Sequence, residues 1–475
     1  HGSDALGGAI QFRTKSPVLS STGKSLIKGA AFARYSTANQ EKTGHADLSI
    51  GGSKLAWLQS YTFSEFGDMK MGSNYPDKYP DFGRRSRYIE TVNGIDQVVA
   101  NKDDRVQKFS GYSQWDITQK LLFKQSDKLS HKLNLQYSNS TDVPRYDRLQ
   151  DIRNFGGSIG TTLRFAEWYY GPQTRIMGAY EMNVNKPGFF DEFKTILSYQ
   201  DIKESRQQRE YLRYDRFDSR REHIKVIGFT MDGRMNRGQN ELTLGIDGQL
   251  NDLKSVADRT NLTTGVKTKL DSRYPNGDNN MNYFGAYAQH LLKSKNGKLV
   301  LNDGIRIQTV SLRSTISDNS FFNFPFTEIR QKPFAVTGNA GLVFNPSEEF
   351  RFTTSLSSGF RAPNIDDAAR IFESSTAIRR VIIPNPDIAP EYTYNFDLGL
   401  VYNVKNKVRF ELTGFYTLFR NAIALAPFQL NGQDSIVYNT VMSAVYANQN
   451  INKAFVRGLN ARLKVELSKS LTWDN

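Results

Sequence analysis

Residues 391–402 read Glu391-Tyr392-Thr393-Tyr394-Asn395-Phe396-Asp397-Leu398-Gly399-Leu400-Val401-Tyr402, and their alternation decides the fold. Tyr392, Tyr394, Phe396, Leu398, Leu400 and Tyr402 fall on one face; Thr393, Asn395, Asp397 and Gly399 fall on the other. Period two marks a strand with one apolar and one wet face. The run is longer than the roughly 5–6 residues of an ordinary globular strand and matches the about 9–11 of a strand crossing a bilayer. The same pattern recurs over 407–421, where Val408, Phe410, Leu412, Tyr416 and Leu418 oppose Arg409, Glu411, Thr413 and Thr417. It returns over 241–250 and 459–467.

Connection lengths carry the reading further. Short polar turns fall at 52–54, 125–128, 185–188, 236–238, 294–297, 346–348, 404–406 and 468–470. Long connections lie between them, at 67–107, 139–173, 205–219, 253–279, 314–331, 361–390 and 422–451. A soluble sandwich has no reason to segregate its loops in this way. A transmembrane antiparallel β-barrel does, with short turns at one rim and long loops at the other. On this map sixteen strands are complete by Leu467 and a seventeenth begins at Leu471. An open edge in lipid leaves backbone groups unpaired, and plugged outer-membrane barrels have about 22 strands, so about five more are expected. The chain is therefore expected to be a fragment.

Composition agrees. The 475 residues carry a formal net charge of +14, 38 % hydrophobic and 12 % aromatic residues, and no cysteine. No apolar run approaches the roughly 18 residues of a membrane helix. A barrel buries only alternate residues in lipid, so a polar average with many aromatics suits it. Catalysis has no support: there is no cysteine, no His-x-Glu metal cluster, no nucleophile elbow and no phosphate-binding glycine loop. The basic residues are spread over loops and alternate strand positions rather than gathered in one stripe, which argues against nucleic acid.

Two sets of residues carry a family resemblance. Gly2-Ser3-Asp4-Ala5-Leu6-Gly7-Gly8-Ala9-Ile10, followed by Thr14-Lys15, resembles the end of the plug domain of TonB-dependent outer-membrane receptors. Phe360-Arg361-Ala362-Pro363 and Asn385-Pro386-Asp387-Ile388, with Pro390-Glu391, resemble the two boxes that flank an extracellular loop in that family. Residues 1–17 would then be the C-terminal end of a plug and 18–475 the barrel. The resemblance implies a monomeric receptor in the Gram-negative outer membrane, among lipid and lipopolysaccharide. It would bind a scarce small-molecule nutrient and import it with energy from a TonB-type coupling protein. A passive porin of the same architecture is the alternative from another class, and an adhesion or phage-receptor protein a third.

The loop between the boxes narrows the cargo. Haem-uptake members of the family carry an axial histidine there. Of the five histidines here (His1, His45, His131, His223, His290) none lies between Pro363 and Asn385, and no tyrosine does either. The loop carries Arg361, Arg370, Arg379 and Arg380 against Asp366, Asp367 and Glu373. Guanidinium binds carboxylate or phosphate bidentately. An anionic ferric siderophore or similar iron chelate is the favoured cargo, with haem or cobalamin as alternatives, and no resident cofactor or metal is expected. Tyr75 and Tyr79, in the aromatic and acidic stretch 75–82, are further candidate contacts. Trp168 is another, although 165–173 reads more readily as an interfacial aromatic belt than as a ligand-stacking surface.

Overall fold

The computed structural model describes residue 6 and residues 10–375, 379–404, 407–438 and 441–475. Gly2, Ser3, Gly7 and Gly8 of the plug-end motif lie outside the described residues. The long strands are β1 (Leu26–Ser36), β2 (Glu41–Gly51), β3 (Leu55–Phe66), β4 (Tyr112–Lys124), β5 (Leu129–Ser140) and β6 (Thr174–Asn185). They continue as β7 (Glu192–Glu210), β8 (Phe217–Arg237), β9 (Asn240–Thr260), β10 (Asn279–Lys293), β11 (Leu299–Thr315) and β12 (Phe334–Phe344). The series ends with β13 (Phe350–Arg361), β14 (Glu391–Val404), β15 (Val408–Pro427), β16 (Val441–Ser468) and the short β17 (Leu471–Asp474). Each pairs antiparallel with the next, from Leu26↔Gly51 to Lys464↔Asp474, so the sheet is one uninterrupted meander.

The two faces separate as the alternation requires. Tyr394, Phe396 and Leu398 are exposed on the outer face, and their neighbours Leu356 and Tyr416 lie beside them in register. Leu197, Ile227, Ile246, Phe284 and Ile305 extend this apolar surface around the sheet. Near the short-turn rim, His131 stacks against Phe123 and Tyr180 on the outer face, an aromatic girdle of the kind found where barrels meet the headgroups. Among the described residues no helix is long and apolar enough to cross a membrane.

The inner face is polar. Arg306 of β11 reaches across Gly285 of β10 to hold both carboxylate oxygens of Asp247 on β9, at 2.6 and 2.8 Å. Only glycine leaves room for that crossing, since a Cβ at position 285 would collide with the guanidinium. Gly285→Val is expected to expel Arg306 and cost about 1–3 kcal/mol, seen as a lower temperature for loss of the compact barrel band on a gel. The N-terminal segment lies against this same face. The Leu6 carbonyl accepts from Thr393 on β14, Lys15 pairs with Asp47 on β2 at 2.5 Å, and the Lys120 ammonium donates to the Thr14 hydroxyl at 2.5 Å. Leu6 thus meets the inner face at β14, and Thr14 and Lys15 meet it at β4 and β2.

Turn and loop segregation follows the sequence map with one systematic difference. The connections expected over 205–219, 253–279 and 422–451 are much shorter, because the strands run on as paired hairpin arms. Arg209 still pairs with Phe217, Thr260 with Phe217, and Pro427 with Tyr446. In these arms the polar and charged side chains fall on both faces, so the apolar alternation stops while the backbone ladder continues. The arms stand beyond the about ten residues needed to cross lipid.

Candidate ligand-binding vestibule

The loop joining β13 to β14 is folded from both of its ends. Phe360 is 2 % exposed and packs with Ala362, Ala368 and Ala369 against Met281, Val310, Leu312, Ile329 and Ala335. The chain then turns at the buried Pro363 into a one-turn helix, Ile365–Ala368. Asn364 caps it: its side chain accepts from the Asp367 amide at 2.8 Å while the Asp367 carboxylate accepts from the Asn364 amide at 3.1 Å. This reciprocal box satisfies two backbone donors that a helix start leaves open. Arg361 lies between Glu391 (2.6 Å) and Asp367 (2.5 Å) and so ties the first residue after the loop to the helix.

The second box closes the other side. Asn385 is buried, donates to the Asn448 carbonyl at 2.8 Å, and accepts from the Asp387 amide at 3.1 Å. Gln331 donates to the carbonyls of Pro386 (3.1 Å) and Ile388 (2.9 Å), and Asn450 brackets Ala389 just before Pro390. Glu391 also accepts from the Ile423 amide at 2.7 Å.

Between the boxes, strand Arg380–Ile382 pairs parallel with Ala444–Tyr446 of β16 and antiparallel with Phe372–Ser375. Val381 and Ile383 enter a second apolar cluster with Ile316, Phe324, Ile371, Leu430, Tyr438, Val445 and Ala447. Three successive extracellular loops therefore share one core.

The candidate arginines separate by environment. Arg370 pairs with Asp366 at 2.7 Å, and Asp366 is also held by Arg273 and by the Tyr274 hydroxyl, each at 3.0 Å. Arg361 and Arg370 are thus both engaged with carboxylates. Arg379 is exposed, with a backbone φ of 44°. Arg380 stacks over the Tyr446 ring at 4.5 Å, and its Nε is buried with no hydrogen-bond partner among the described residues.

The remaining candidates belong to other loops. Tyr75 accepts from Arg84 at 2.6 Å, and Tyr79 is 53 % exposed with Lys78 over its ring. Trp168 lies under Arg145 (4.9 Å) and edge-on to Tyr170. It pairs with Gln208, high on the β7 arm, which puts 165–170 above the interfacial belt. His45, His131, His223 and His290 are each hydrogen-bonded within or between strands, and no cluster that could hold a metal occurs among the described residues.

The sequence reading missed two features. Arg273 and Tyr274, which anchor Asp366, come from the β9–β10 loop and had no motif to mark them. The other is a clasp at Arg209. This side chain is 1 % exposed and holds both oxygens of the buried Asp96 at 2.6 and 2.8 Å, and Glu167 at 2.7 Å. Asp96 sits in the hairpin Arg87–Val92 and Ile95–Ala100 of the first long loop, so the clasp joins three loops.

The family model described as TonB dependent receptor-like, beta-barrel matches residues 102–475. The chain belongs to the TonB-dependent receptor family. Its place is the Gram-negative outer membrane, and the family is one of transporters rather than enzymes. The receptor barrel is similar in structure to the copper transporter OprC, with a TM-score of 0.64 and 12 % identity over 95 % of this chain and 58 % of that one. It is also similar to a mutant of the ferric enterobactin receptor PfeA of Pseudomonas aeruginosa, with a TM-score of 0.63 and 14 % identity over 100 % of this chain and 64 % of that one. At these identities the likeness is one of fold. In sequence, hemoglobin-haptoglobin utilization protein B of Neisseria meningitidis is 30 % identical over 182 residues, covering 34 % of this chain and 21 % of the relative. The chain thus spans less than two thirds of these structures, and the match about a fifth of the curated relative.

Proposed function

We propose that this receptor imports an anionic iron chelate, of the ferric-siderophore class, by TonB-coupled transport. The observation that carries the reading is the division among the loop's arginines. Arg361 and Arg370 are engaged with Glu391, Asp367 and Asp366, whereas Arg379 is exposed and Arg380 lies over the Tyr446 ring with no carboxylate partner among the described residues. Guanidiniums without a carboxylate partner are free to bind an anionic ligand through charge-assisted hydrogen bonds. The double substitution Arg379→Ala/Arg380→Ala in the full-length receptor is expected to weaken binding of an anionic ferric siderophore about 10- to 100-fold, the worth of hydrogen bonds to charged groups. Fluorescence titration measures this, and unchanged affinity across a panel of anionic iron chelates would rule the reading out.

The Neisseria relative's name favours a second reading, in which the chelate is haem. Haem shares the chemistry, since its propionates are anionic and its iron is the nutrient. The absence of histidine and tyrosine between Pro363 and Asn385 stands against an axial ligand from this loop. Haem titration distinguishes the two: a Soret band that survives gel filtration of the loaded receptor selects haem.

A further inference from the structure

We propose that the lumenal wall of strands β4 to β6 carries a binding site for a short zwitterionic peptide, its ammonium on Asp116 and its carboxylate on Arg175. Register puts both residues on one face. Asp116 of β4 lies opposite Ser138 of β5, and Ser138 lies opposite Arg175 of β6. The row above holds Gln114 and Ser140, and the row below holds Thr118, Gln136 and Met177. The alternate residues Trp115, Tyr137 and Ile176 are exposed on the outer face, so this face is the inner one. Gln114, Asp116, Thr118, Gln136, Ser138 and Arg175 line a recess of about 360 Å³.

The two charges in this recess are its unusual feature. Other lumenal charges are neutralised in place, Asp47 by Lys15, Glu181 by Lys132 and Arg306 by Asp247. Asp116 instead accepts from the Gln114 amide at 2.9 Å and from the Ser138 hydroxyl at 2.7 Å. Arg175 donates through Nε to Gln200 at 3.0 Å and through one Nη to the Met177 sulfur at 3.4 Å. Neither has an oppositely charged partner among the described residues, and the second Nη of Arg175 makes no hydrogen bond among them. A carboxylate has about four acceptor sites, so Asp116 keeps room for a further donor.

Charge and length together select the guest. A simple anion is drawn to Arg175 but repelled by Asp116, and a simple cation the reverse, so the pair favours a solute carrying both charges. Strands are about 4.8 Å apart, so the Cα atoms of Asp116 and Arg175 stand about 10 Å apart. The contact with Gln200 draws the guanidinium further away, toward β7. A free amino acid, whose ammonium and carboxylate share one carbon, is too short to reach both. Each added residue lengthens an extended peptide by about 3.5 Å, and a dipeptide or tripeptide spans the gap. Between the charges, the hydroxyls of Thr118 and Ser138 and the amide of Gln136 supply donors and acceptors for peptide groups. None of these residues belongs to the arginine-bearing loop.

Calorimetric titration of the full-length receptor in detergent tests the site, with alanyl-alanine as the probe beside its N-acetylated and C-amidated forms. Wild type is expected to bind the free dipeptide about tenfold more tightly than either capped form, the worth of one hydrogen bond to a charged group. Asp116→Asn is expected to lose the discrimination against the acetylated form and keep that against the amidated one. Arg175→Gln is expected to do the reverse. A merely structural role for either residue would weaken all three ligands alike. Heat-modifiable mobility on a gel verifies that both variant barrels are folded. Equal affinity of wild type for free and capped dipeptides would overturn the assignment, as would discrimination that survives both substitutions. Absence of binding at millimolar dipeptide would also overturn it, since the recess would then be closed in the complete receptor.

Discussion

Replacing Asp96 with alanine is expected to release the 87–100 hairpin from the barrel wall. The carboxylate is fully buried against Arg209, itself 1 % exposed, with both oxygens engaged. The Leu212 amide donates to Asp96 at 2.8 Å, and the Tyr214 hydroxyl accepts from the Asp96 amide at 2.8 Å. Removing one partner of a buried pair costs up to about 3–5 kcal/mol, and Glu167, still paired with Arg209 at 2.7 Å, keeps the loss toward the lower end. Here that cost falls on a loop that can detach, not on the barrel. Amides of the 87–100 hairpin are expected to exchange about 100-fold faster while those of β7 and β8 keep their protection. Unchanged hairpin exchange would mean that the clasp does not hold the loop.

The same pair sets a pH dependence. Burial opposes the Asp96 charge, and the hydrogen bonds from Arg209, the Leu212 amide and Thr91 more than offset it, so the carboxyl titrates below its ordinary range. A carboxylate lowered in the folded state contributes stability above its unfolded pKa and loses it as pH falls through the folded one. The wild-type hairpin is therefore expected to loosen on acidification below the usual carboxylate range. In Asp96→Ala this pH-dependent contribution is absent.

The second large effect is expected at Arg361. Its side chain is 24 % exposed, and its partners Asp367 and Glu391 are 13 % and 7 % exposed. Arg361→Ala leaves two largely buried carboxylates facing each other, at a cost of about 3 kcal/mol. Asp367 also caps the helix start, and Glu391 also accepts from Ile423, so the damage reaches both ends of the loop. The expected result is faster proteolytic cleavage within 362–390 and weaker ligand binding, with the barrel's heat-modifiable mobility intact. Arg361→Lys restores the charge but not the bidentate fork, and is expected to recover only part of the loss. A variant that binds ligand as wild type does would separate the box from loop order.

Period two was legible wherever one face meets lipid, because lipid enforces apolar residues at alternate positions. Tyr392 to Tyr402 is such a case. The hairpin arms were not legible, because Ser205-Arg206-Gln207-Gln208-Arg209-Glu210 has water or polar partners on both sides and no apolar position to repeat. The clasp was hidden for another reason: Asp96 and Arg209 are 113 residues apart, and nothing local marks either as buried. At the candidate site, the boxes and the basic residues between them could be found by motif and charge. Which arginines already have carboxylate partners could not, since Arg273, Tyr274 and Asn448 reach the loop from other strands and loops.

Energised import of an iron chelate is measured by the accumulation of radioiron in cells. Cells carrying the full-length receptor, and a deletion strain, would be given iron as a panel of anionic siderophores and as haem, with and without an uncoupler. Receptor-dependent accumulation of at least one of these chelates is expected, abolished when the proton-motive force is collapsed. Accumulation that persists in the uncoupled cells, as through a passive pore, or none with any iron chelate, would contradict it.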